Sequence, residues 1–133
     1  ELAEIAAVGL LERIIPVGRV SDVELSFLYS HAEFFFFPSL YEGFGIPPLE
    51  AMQQGCPVLA SNRSSVPEVV GDAGMLFDPD DRQSLAAGID QIASGEARQK
   101  LILKGFQRAA SYSWQSASSM YKSLYTELLD ARR

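Results

Sequence analysis

Four consecutive phenylalanines, residues 34–37, restrict the possible folds of this chain more than any other stretch. They stand in the segment AEFFFFP, which is apolar at successive rather than alternate positions. A strand that is apolar on both faces needs cover on both faces, and a parallel sheet between two layers of helices provides it. The run is far shorter than the roughly 20 residues of a membrane-spanning helix. The sequence therefore predicts a buried parallel strand that ends at Pro38.

Helical and strand patterns alternate along the rest of the chain. This alternation implies βαβ units and predicts an α/β fold, a Rossmann-like doubly wound parallel sheet with helices on both faces. The predicted strands cover residues 13–18, 34–37, 57–61 and 74–78, and the predicted helices cover residues 2–11, 22–31, 47–54, 65–70, 81–93, 95–110 and 113–130.

Length and composition exclude several classes of protein. The 133 residues suffice for one hydrophobic core, hence one domain. The net charge of −6 offers no basic surface, so we expect neither nucleic acid as a partner nor membrane contact by this segment. One cysteine, Cys56, cannot form an intrachain disulfide, which fits a reducing cytoplasm. The chain starts without Met inside an apolar helical pattern, as we expect of a fragment of a larger protein.

The segment YEGFGIPPLEAM, residues 41–52, follows the phenylalanine strand and begins the next helix. Ligands of doubly wound sheets lie at the carboxyl ends of strands, so a ligand site is predicted here. Gly43 and Gly45 permit a tight turn and close approach of a ligand, and a helix N-terminus favours phosphate. Pro47 and Pro48 each remove a donor, which leaves the amides of residues 43–46, with Leu49 as a further candidate.

Two acids, Glu42 and Glu50, flank this loop. The dinucleotide fingerprint G-x-G-x-x-G fails because Pro48 replaces its third glycine, and a P-loop fails because the Gly-Lys-Ser/Thr ending is missing. Carboxylates accept hydrogen bonds from hydroxyls. A phosphate with a ribose on one side and a sugar on the other would therefore satisfy both acids.

The stretch PSLYEGFGIPPLEAMQQGCPVLASNRSSVPEVVGDAG resembles the C-terminal, nucleotide-sugar-binding domain of retaining glycosyltransferases of family 4, the group 1 family, which has the GT-B fold. The signature Glu-x7-Glu is matched by Glu42 and Glu50, and the likeness extends from VGRVSD to YSWQSAS. The resemblance implies that residues 1–133 are one domain, the N-terminally truncated C-terminal half of a GT-B fold. It also implies that the helix at about 113–130 packs on an N-terminal domain that carries the acceptor site.

The resemblance further implies roles for single residues. Glu50 would bind the ribose hydroxyls, and Glu42, the catalytic residue, would face the transferred sugar. The other implied donor-binding residues lie in two loops, the first with Gly43, Phe44, Gly45, Ile46 and Leu49, and the second, at the nucleobase, with Gly18, Arg19 and Val20. The resemblance implies no metal and no other cofactor, because the nucleoside diphosphate sugar is the substrate.

The implied activity is transfer of a hexose, of the mannose or glucose type, to a glycan or lipid-linked acceptor in polysaccharide biosynthesis. The resemblance suggests mannosyl transfer first, in the cytoplasm or at the inner face of the membrane. We expect the fragment alone to be inactive. Two alternatives stay open: a non-catalytic sugar-nucleotide-binding module, and a GT-B epimerase or phosphorylase.

Several polar residues have structural explanations beside functional ones. Residues 78–81, DPDD, resemble a DxD metal motif but open a helix, so capping is predicted. Ser65 and Glu68 fit a capping box, although Glu68 could equally lie near the ligand. Asn62 and Arg63 follow a strand and either face the ligand or form an ordinary polar loop. The remaining predictions place His31 at a helix C-terminus and Cys56 in the core.

Overall fold

The computed structural model describes residues 7, 9 and 11–131. In this part of the chain helices and strands alternate as predicted, whereas the helix expected over residues 2–11 lies mostly outside the described residues. The helices are α1 (Asp22–His31), α2 (Ile46–Gln53), α3 (Val66–Val70), α4 (Arg82–Ala93), α5 (Gly95–Ala110) and α6 (Trp114–Asp130), and the strands are β1 (Phe35–Phe37), β2 (Val58–Ser61) and β3 (Met75–Phe77). Short 3-10 turns occupy Leu11–Arg13 and Gly71–Ala73.

The sheet is parallel, with strand order β1-β2-β3. Phe36 pairs with Leu59, which pairs on its other side with Met75. The connection between β1 and β2 contains α2, and the connection between β2 and β3 contains α3, as parallel pairing requires. The three strands confirm three of the four predicted strands.

Two hydrophobic clusters lie on opposite faces of the sheet. Successive side chains of a strand point to opposite faces, and in β2 Val58 and Ala60 belong to one cluster while Leu59 belongs to the other. The first cluster includes residues of α1, α2 and α3, and the second includes Ile92 of α4. Helices therefore cover both faces, which confirms the predicted α/β class.

The phenylalanine run contributes to both clusters. Phe35 and Phe37 pack against the first cluster and Phe34 against the second. Phe36 stacks on Phe77 with ring centroids 5.4 Å apart, yet it remains 41% exposed. Burial is incomplete because β1 is the edge strand of the described sheet. The two-faced pattern is confirmed, and full burial is not.

The strand predicted over residues 13–18 is wrong. Arg13 ends a 3-10 turn, residues 14–18 are irregular, and Ile15 is 83% exposed. A strand needs a neighbour to pair its backbone N–H and C=O groups. Within the described chain the three strands pair only with one another, so this β-branched run has no ladder to join.

The ends of the helices follow local sequence signals in most places. Ser21 and Glu24 form a capping box at the start of α1. After α2, Gly55 adopts φ +72, and a Cβ there would lie 2.9 Å from the Phe106 ring. The Cys56 amide donates to the Ala51 carbonyl at 2.9 Å, as in a Schellman motif. The predicted glycine stop of α2 is thus confirmed.

Two further residues lie where the sequence predicts them. His31 is the last residue of α1, with Nδ1 2.9 Å from the Phe27 carbonyl oxygen. Cys56 is 2% exposed, and burial raises the pKa of its thiol to about 11. Both roles are structural, so neither residue enters the candidate site.

Candidate functional site

The candidate site lies at the carboxyl edge of the sheet, where the strands end and the following helices begin. The loop after β1 leads into α2, the loop after β2 into α3, and the loop after β3 into α4. Because α1 precedes the parallel strand β1, its first residues also lie at this edge. The topology therefore gathers residues 18–21, 38–45, 62–65 and 78–81 along one side of the sheet.

Residues 42–46, which we term the glycine loop, form the start of α2. Gly45 is the N-cap, with φ 106 and ψ 55, a conformation that favours glycine. No side chain caps this helix, and Pro47 and Pro48 occupy its first turn. Proline has no amide proton, so only main-chain donors ahead of the prolines are available to a ligand.

The amides of the glycine loop have no hydrogen-bond partner in the described part of the chain. Among residues 7, 9 and 11–131, no atom accepts a hydrogen bond from the amides of residues 43–46. Gly43 is exposed and Gly45 is buried. A Cβ placed on either glycine would meet no atom within 4 Å beyond its chain neighbours. Unpaired donors at a helix N-terminus favour an anion.

Two carboxylates flank these amides. Glu42 is half-buried at the start of the glycine loop, and Glu50 is exposed on α2. Within the described residues neither carboxylate forms an ion pair or a hydrogen bond, so both are free to accept hydrogen bonds from a ligand. Burial and, second, the charge of Glu50 raise the pKa of the Tyr29 hydroxyl to about 12.

Serine hydroxyls hold the glycine loop from the α3 side. The Ser64 hydroxyl lies 2.9 Å from the Glu42 carbonyl oxygen, and the Ser65 hydroxyl lies 2.9 Å from the carbonyl oxygens of both Glu42 and Phe44. Sequence reasoning missed this contact. The predicted capping box of Ser65 and Glu68 is wrong, because Ser65 adopts helical φ and ψ and makes no side-chain cap.

The junction between α5 and α6 supports the same loop. The Tyr112 ring packs edge-on against Phe44, with centroids 5.6 Å apart. Arg108 holds Tyr112, with Nη2 3.0 Å from the tyrosine Oη and Cζ 5.1 Å from its ring centroid. Arg108 also donates to the carbonyl oxygens of Glu68 and Val69 at the end of α3. Only the three-dimensional fold brings these residues together.

The other residues predicted to bind the donor occupy two places. Leu49 packs partly buried against the first hydrophobic cluster, whereas Ile46 is 47% exposed. Gly18, Arg19 and Val20 precede α1 at the same edge of the sheet, and Gly18 has φ +64. No hydrogen bond within the described residues joins this segment to the glycine loop. The two loops therefore share an edge of the sheet without a hydrogen bond between them in the described part of the chain.

Residues 78–81 serve structure. The Asp81 carboxylate accepts a hydrogen bond from the Gln83 amide at 2.8 Å and caps α4, which confirms the capping prediction. Asp78 and Asp80 bind Arg63 at 2.8 and 2.6 Å. Within residues 7, 9 and 11–131 no group of three or more His, Cys, Asp or Glu side chains has a metal-binding arrangement.

A comparison with protein families identifies the family of the chain. The family model described as "Glycosyl transferases group 1" matches residues 2–108. The chain belongs to this family. The fold is that of the C-terminal domain of GT-B glycosyltransferases.

The chain is similar in sequence to several proteins that are named as mannosyltransferases. O-antigen chain mannosyltransferase B of Escherichia coli is 42% identical over 110 residues, covering 82% of this chain and 29% of the relative. The MMP alpha-(1->4)-mannosyltransferase of Mycolicibacterium hassiacum is 35% identical over 130 residues, covering 94% of this chain and 32% of the relative. The chain thus spans about a third or less of the curated relatives it matches.

A solved structure extends the likeness to three dimensions. Sucrose-phosphate synthase of Thermosynechococcus elongatus superimposes with a TM-score of 0.83 at 29% identity, and the match covers 97% of this chain and 33% of that structure. None of the helices in the described part of the chain is long and apolar enough to cross a membrane.

Proposed function

We propose that this chain is the donor-binding part of a longer glycosyltransferase, which transfers a hexose with retention from a nucleoside diphosphate sugar to a glycan or lipid-linked acceptor. The observation that carries the proposal is the glycine loop: within the described residues its amides have no hydrogen-bond partner, and neither do the carboxylates of the two acids that flank it in sequence. The amides would hold the diphosphate. Glu50 would accept hydrogen bonds from the ribose, and Glu42 from the transferred sugar.

The proposed chemistry uses fixed dipoles. As the bond between sugar and diphosphate breaks, negative charge grows on the diphosphate leaving group. Amides and the N-terminus of α2 that already point at this group stabilise the charge without reorganising. Glu42 would orient the sugar as the catalytic residue. Gly18, Arg19 and Val20 would line the nucleobase. We propose no metal and no cofactor, so the chemistry that this chain supplies rests on these donors.

The relatives favour mannose as the sugar. The names of the two relatives above specify mannosyl transfer. The GDP-mannose:cellobiosyl-diphosphopolyprenol alpha-mannosyltransferase of Komagataeibacter xylinus, 30% identical over 131 residues, carries the donor and a lipid-linked acceptor in its name. GDP-mannose is therefore the donor that we propose first. The O-antigen relative supports a role in polysaccharide biosynthesis.

A second domain is the proposed partner of α6. Every described residue of this helix is at least partly exposed, and Trp114 is 82% exposed. Met120, Tyr121, Leu124, Tyr125 and Leu128 are other exposed apolar residues along it. An exposed apolar helix of this kind favours a protein partner. We propose that it packs on the N-terminal, acceptor-binding domain, and that the whole protein works in the cytoplasm or at the inner face of the membrane.

The test uses the full-length protein with Glu42→Gln, Glu50→Gln and the control Glu33→Gln. Glu33 is an exposed acid just before β1, at the opposite edge of the sheet. A screen of GDP-, UDP- and ADP-sugars for thermal stabilisation first identifies the donor. With this donor, Glu42→Gln should lower kcat by about 100-fold, and Glu50→Gln should mainly raise the donor KM by about tenfold.

The outcomes separate the proposal from its alternatives. A protein that binds the donor but shows no transfer or hydrolysis would be a sugar-nucleotide-binding module. Equal rates for all three variants would contradict the assignment of both acids. The control has to match the unmodified protein, since Glu33→Gln removes the same charge far from the glycine loop.

A further inference from the structure

We propose that Ser64 and Ser65 are positioning residues that aim the glycine-loop amides at the diphosphate, an inference that rests on the proposed function. Their hydroxyls lie 2.9 Å from the carbonyl oxygens of Glu42 and Phe44. They touch no substrate themselves. They act through the orientation of two peptide groups.

Both serines are needed to pair the two carbonyl oxygens at the same time. A hydroxyl has one proton and donates one hydrogen bond at a time. Ser65 reaches the carbonyl oxygens of Glu42 and Phe44, whereas Ser64 reaches only that of Glu42. Both carbonyls are paired at once only when Ser64 donates to Glu42 and Ser65 donates to Phe44. Two protons thus match two acceptors.

Because peptide groups are planar, the direction of these carbonyls fixes the direction of the amides that follow them. In a planar trans peptide the C=O of one residue and the N–H of the next point in opposite directions. When the Glu42 and Phe44 carbonyls point at the serines, the amides of Gly43 and Gly45 point away from them. Both amides lack an acceptor within the described residues, and Gly43 is exposed.

The glycines make external support necessary. Gly43 and Gly45 give the loop access to many backbone conformations, most of which would not present the amides together. Electrostatic stabilisation is effective only when donors are fixed before the reaction. Ser65 donates to the loop instead of capping α3, so its hydroxyl serves the glycine loop rather than its own helix.

The backbone at Ser64 is a second, independent observation. Ser64 has φ +54, and it is the sole non-glycine residue with positive φ in the described chain. Non-glycine residues in this region are strained, and the strain persists where the surroundings demand it. Here the strained turn brings two consecutive hydroxyls to the same loop. Glycine would relieve the strain but would lose one donor.

The test compares Ser65→Ala with Ser65→Thr and Ser30→Ala in the full-length protein. The Ser30 hydroxyl donates to the Phe27 carbonyl at 2.9 Å in α1, so its removal deletes a matched bond away from the glycine loop. With the donor found by the screen, Ser65→Ala should lower kcat/KM by about tenfold, and Ser64→Ala/Ser65→Ala by about 100-fold. Ser65→Thr keeps a hydroxyl and should restore most of the activity. Ser30→Ala should be unchanged.

Thermal unfolding distinguishes positioning from simple stabilisation. Without donor, Ser65→Ala and Ser30→Ala should unfold at the same temperature; with saturating GDP-mannose, or the donor that replaces it, Ser65→Ala should lose most of the stabilising shift. An active protein in which Ser65→Ala behaves like Ser30→Ala in both measurements overturns the inference alone. If the unmodified protein shows neither transfer nor stabilisation with any donor, the proposed function fails, and the inference fails with it.

Discussion

The helices α1 and α2 start at the same edge of the sheet, but their N-termini are capped differently. In α1, Ser21 and Glu24 cap each other, with the Glu24 carboxylate 2.8 Å from the Ser21 amide. In α2, Gly45 caps without a side chain, and two prolines follow. The first helix satisfies its own donors. The second leaves its donors ahead of the prolines without a partner in the described residues.

The two helix ends differ in what they contribute. The capped end of α1 contributes stability, and the uncapped end of α2 forms the candidate site. Capping an exposed helix end stabilises it by about 1 kcal/mol, and α2 forgoes that stabilisation. The loop compensates through contacts from elsewhere, namely the hydroxyls of Ser64 and Ser65 and the ring of Tyr112. An uncapped end is not by itself a site, because α3 and α5 also lack side-chain caps. The two flanking carboxylates, which have no partner in the described part of the chain, distinguish α2.

The largest effect should come from placing a negative charge at the open end of α2. A carboxylate at the N-cap would lack its usual amide partners, because Pro47 and Pro48 follow Ile46 in the first turn. In Gly45→Asp the carboxylate would therefore stay unpaired and repel a diphosphate, so transfer should fall by about 100-fold or more. Gly45→Ala is the control, since it imposes the same strain at φ 106 without a charge. Steady-state kinetics measure both variants. Equal loss in the two would show that backbone strain, rather than the added charge, is responsible.

A smaller effect should follow from removing the support of the glycine loop. Tyr112→Ala deletes the ring that packs edge-on against Phe44, and kcat/KM for the donor should fall by about tenfold. Tyr112→Phe keeps the ring and loses only the bond from Arg108, so it should retain most of the activity. Kinetics with varied donor check the pair. If Tyr112→Phe is as impaired as Tyr112→Ala, the Arg108 contact matters and the ring does not.

Removing the N-cap of α1 should lower the stability of this helix without lowering kcat. Ser21→Ala removes the N-cap of α1, which costs about 1 kcal/mol and should speed amide exchange in the first turn of this helix about fivefold. Hydrogen exchange measured by mass spectrometry over residues 22–31 reports the change. The kcat should stay the same, because the Ser21 side chain lies outside the glycine loop. A lowered kcat would contradict this contrast between the two helices.

The smallest effect should be the pH dependence of the capping box. Hydrogen bonds from the Ser21 amide and then its hydroxyl hold the pKa of Glu24 below its usual range. The stabilisation is therefore present above the ordinary glutamate pKa and is lost as the pH falls through the lowered one. The ratio of exchange rates between Glu24→Gln, which cannot ionise, and the unmodified protein should shrink towards one over that range. A ratio that stays constant with pH would show that the Glu24 carboxylate contributes nothing.

Sequence reasoning succeeded where a short segment carries its own physical signal. The apolar run at 34–37, the glycine after α2 and the aspartate before α4 each predict a structure from neighbouring residues, and all three predictions hold in their main features. The glycine loop was identified in the same way, from two glycines, two prolines and two acids within residues 42–50. Its assignment to donor binding stays a prediction.

Sequence reasoning failed where distant residues decide the outcome. Residues 13–18 have strand composition, yet strand formation depends on a paired neighbour. Ser65 and Glu68 have the spacing of a capping box, but the Ser65 hydroxyl bonds a loop more than twenty residues earlier. The contact of Tyr112 with Phe44 has no local signal at all. Such choices depend on the whole fold.

The pairing of Arg63 with Asp78 and Asp80 has a consequence for how an anion would be held at this edge of the sheet. With the guanidinium already neutralised, the attraction that residues 42–46 and 62–65 would offer comes from main-chain dipoles rather than from a net positive field. Mobile ions screen separated charges strongly, and contacts at hydrogen-bond distance much less. Adding salt should therefore leave the contribution of these two loops to the binding energy almost unchanged.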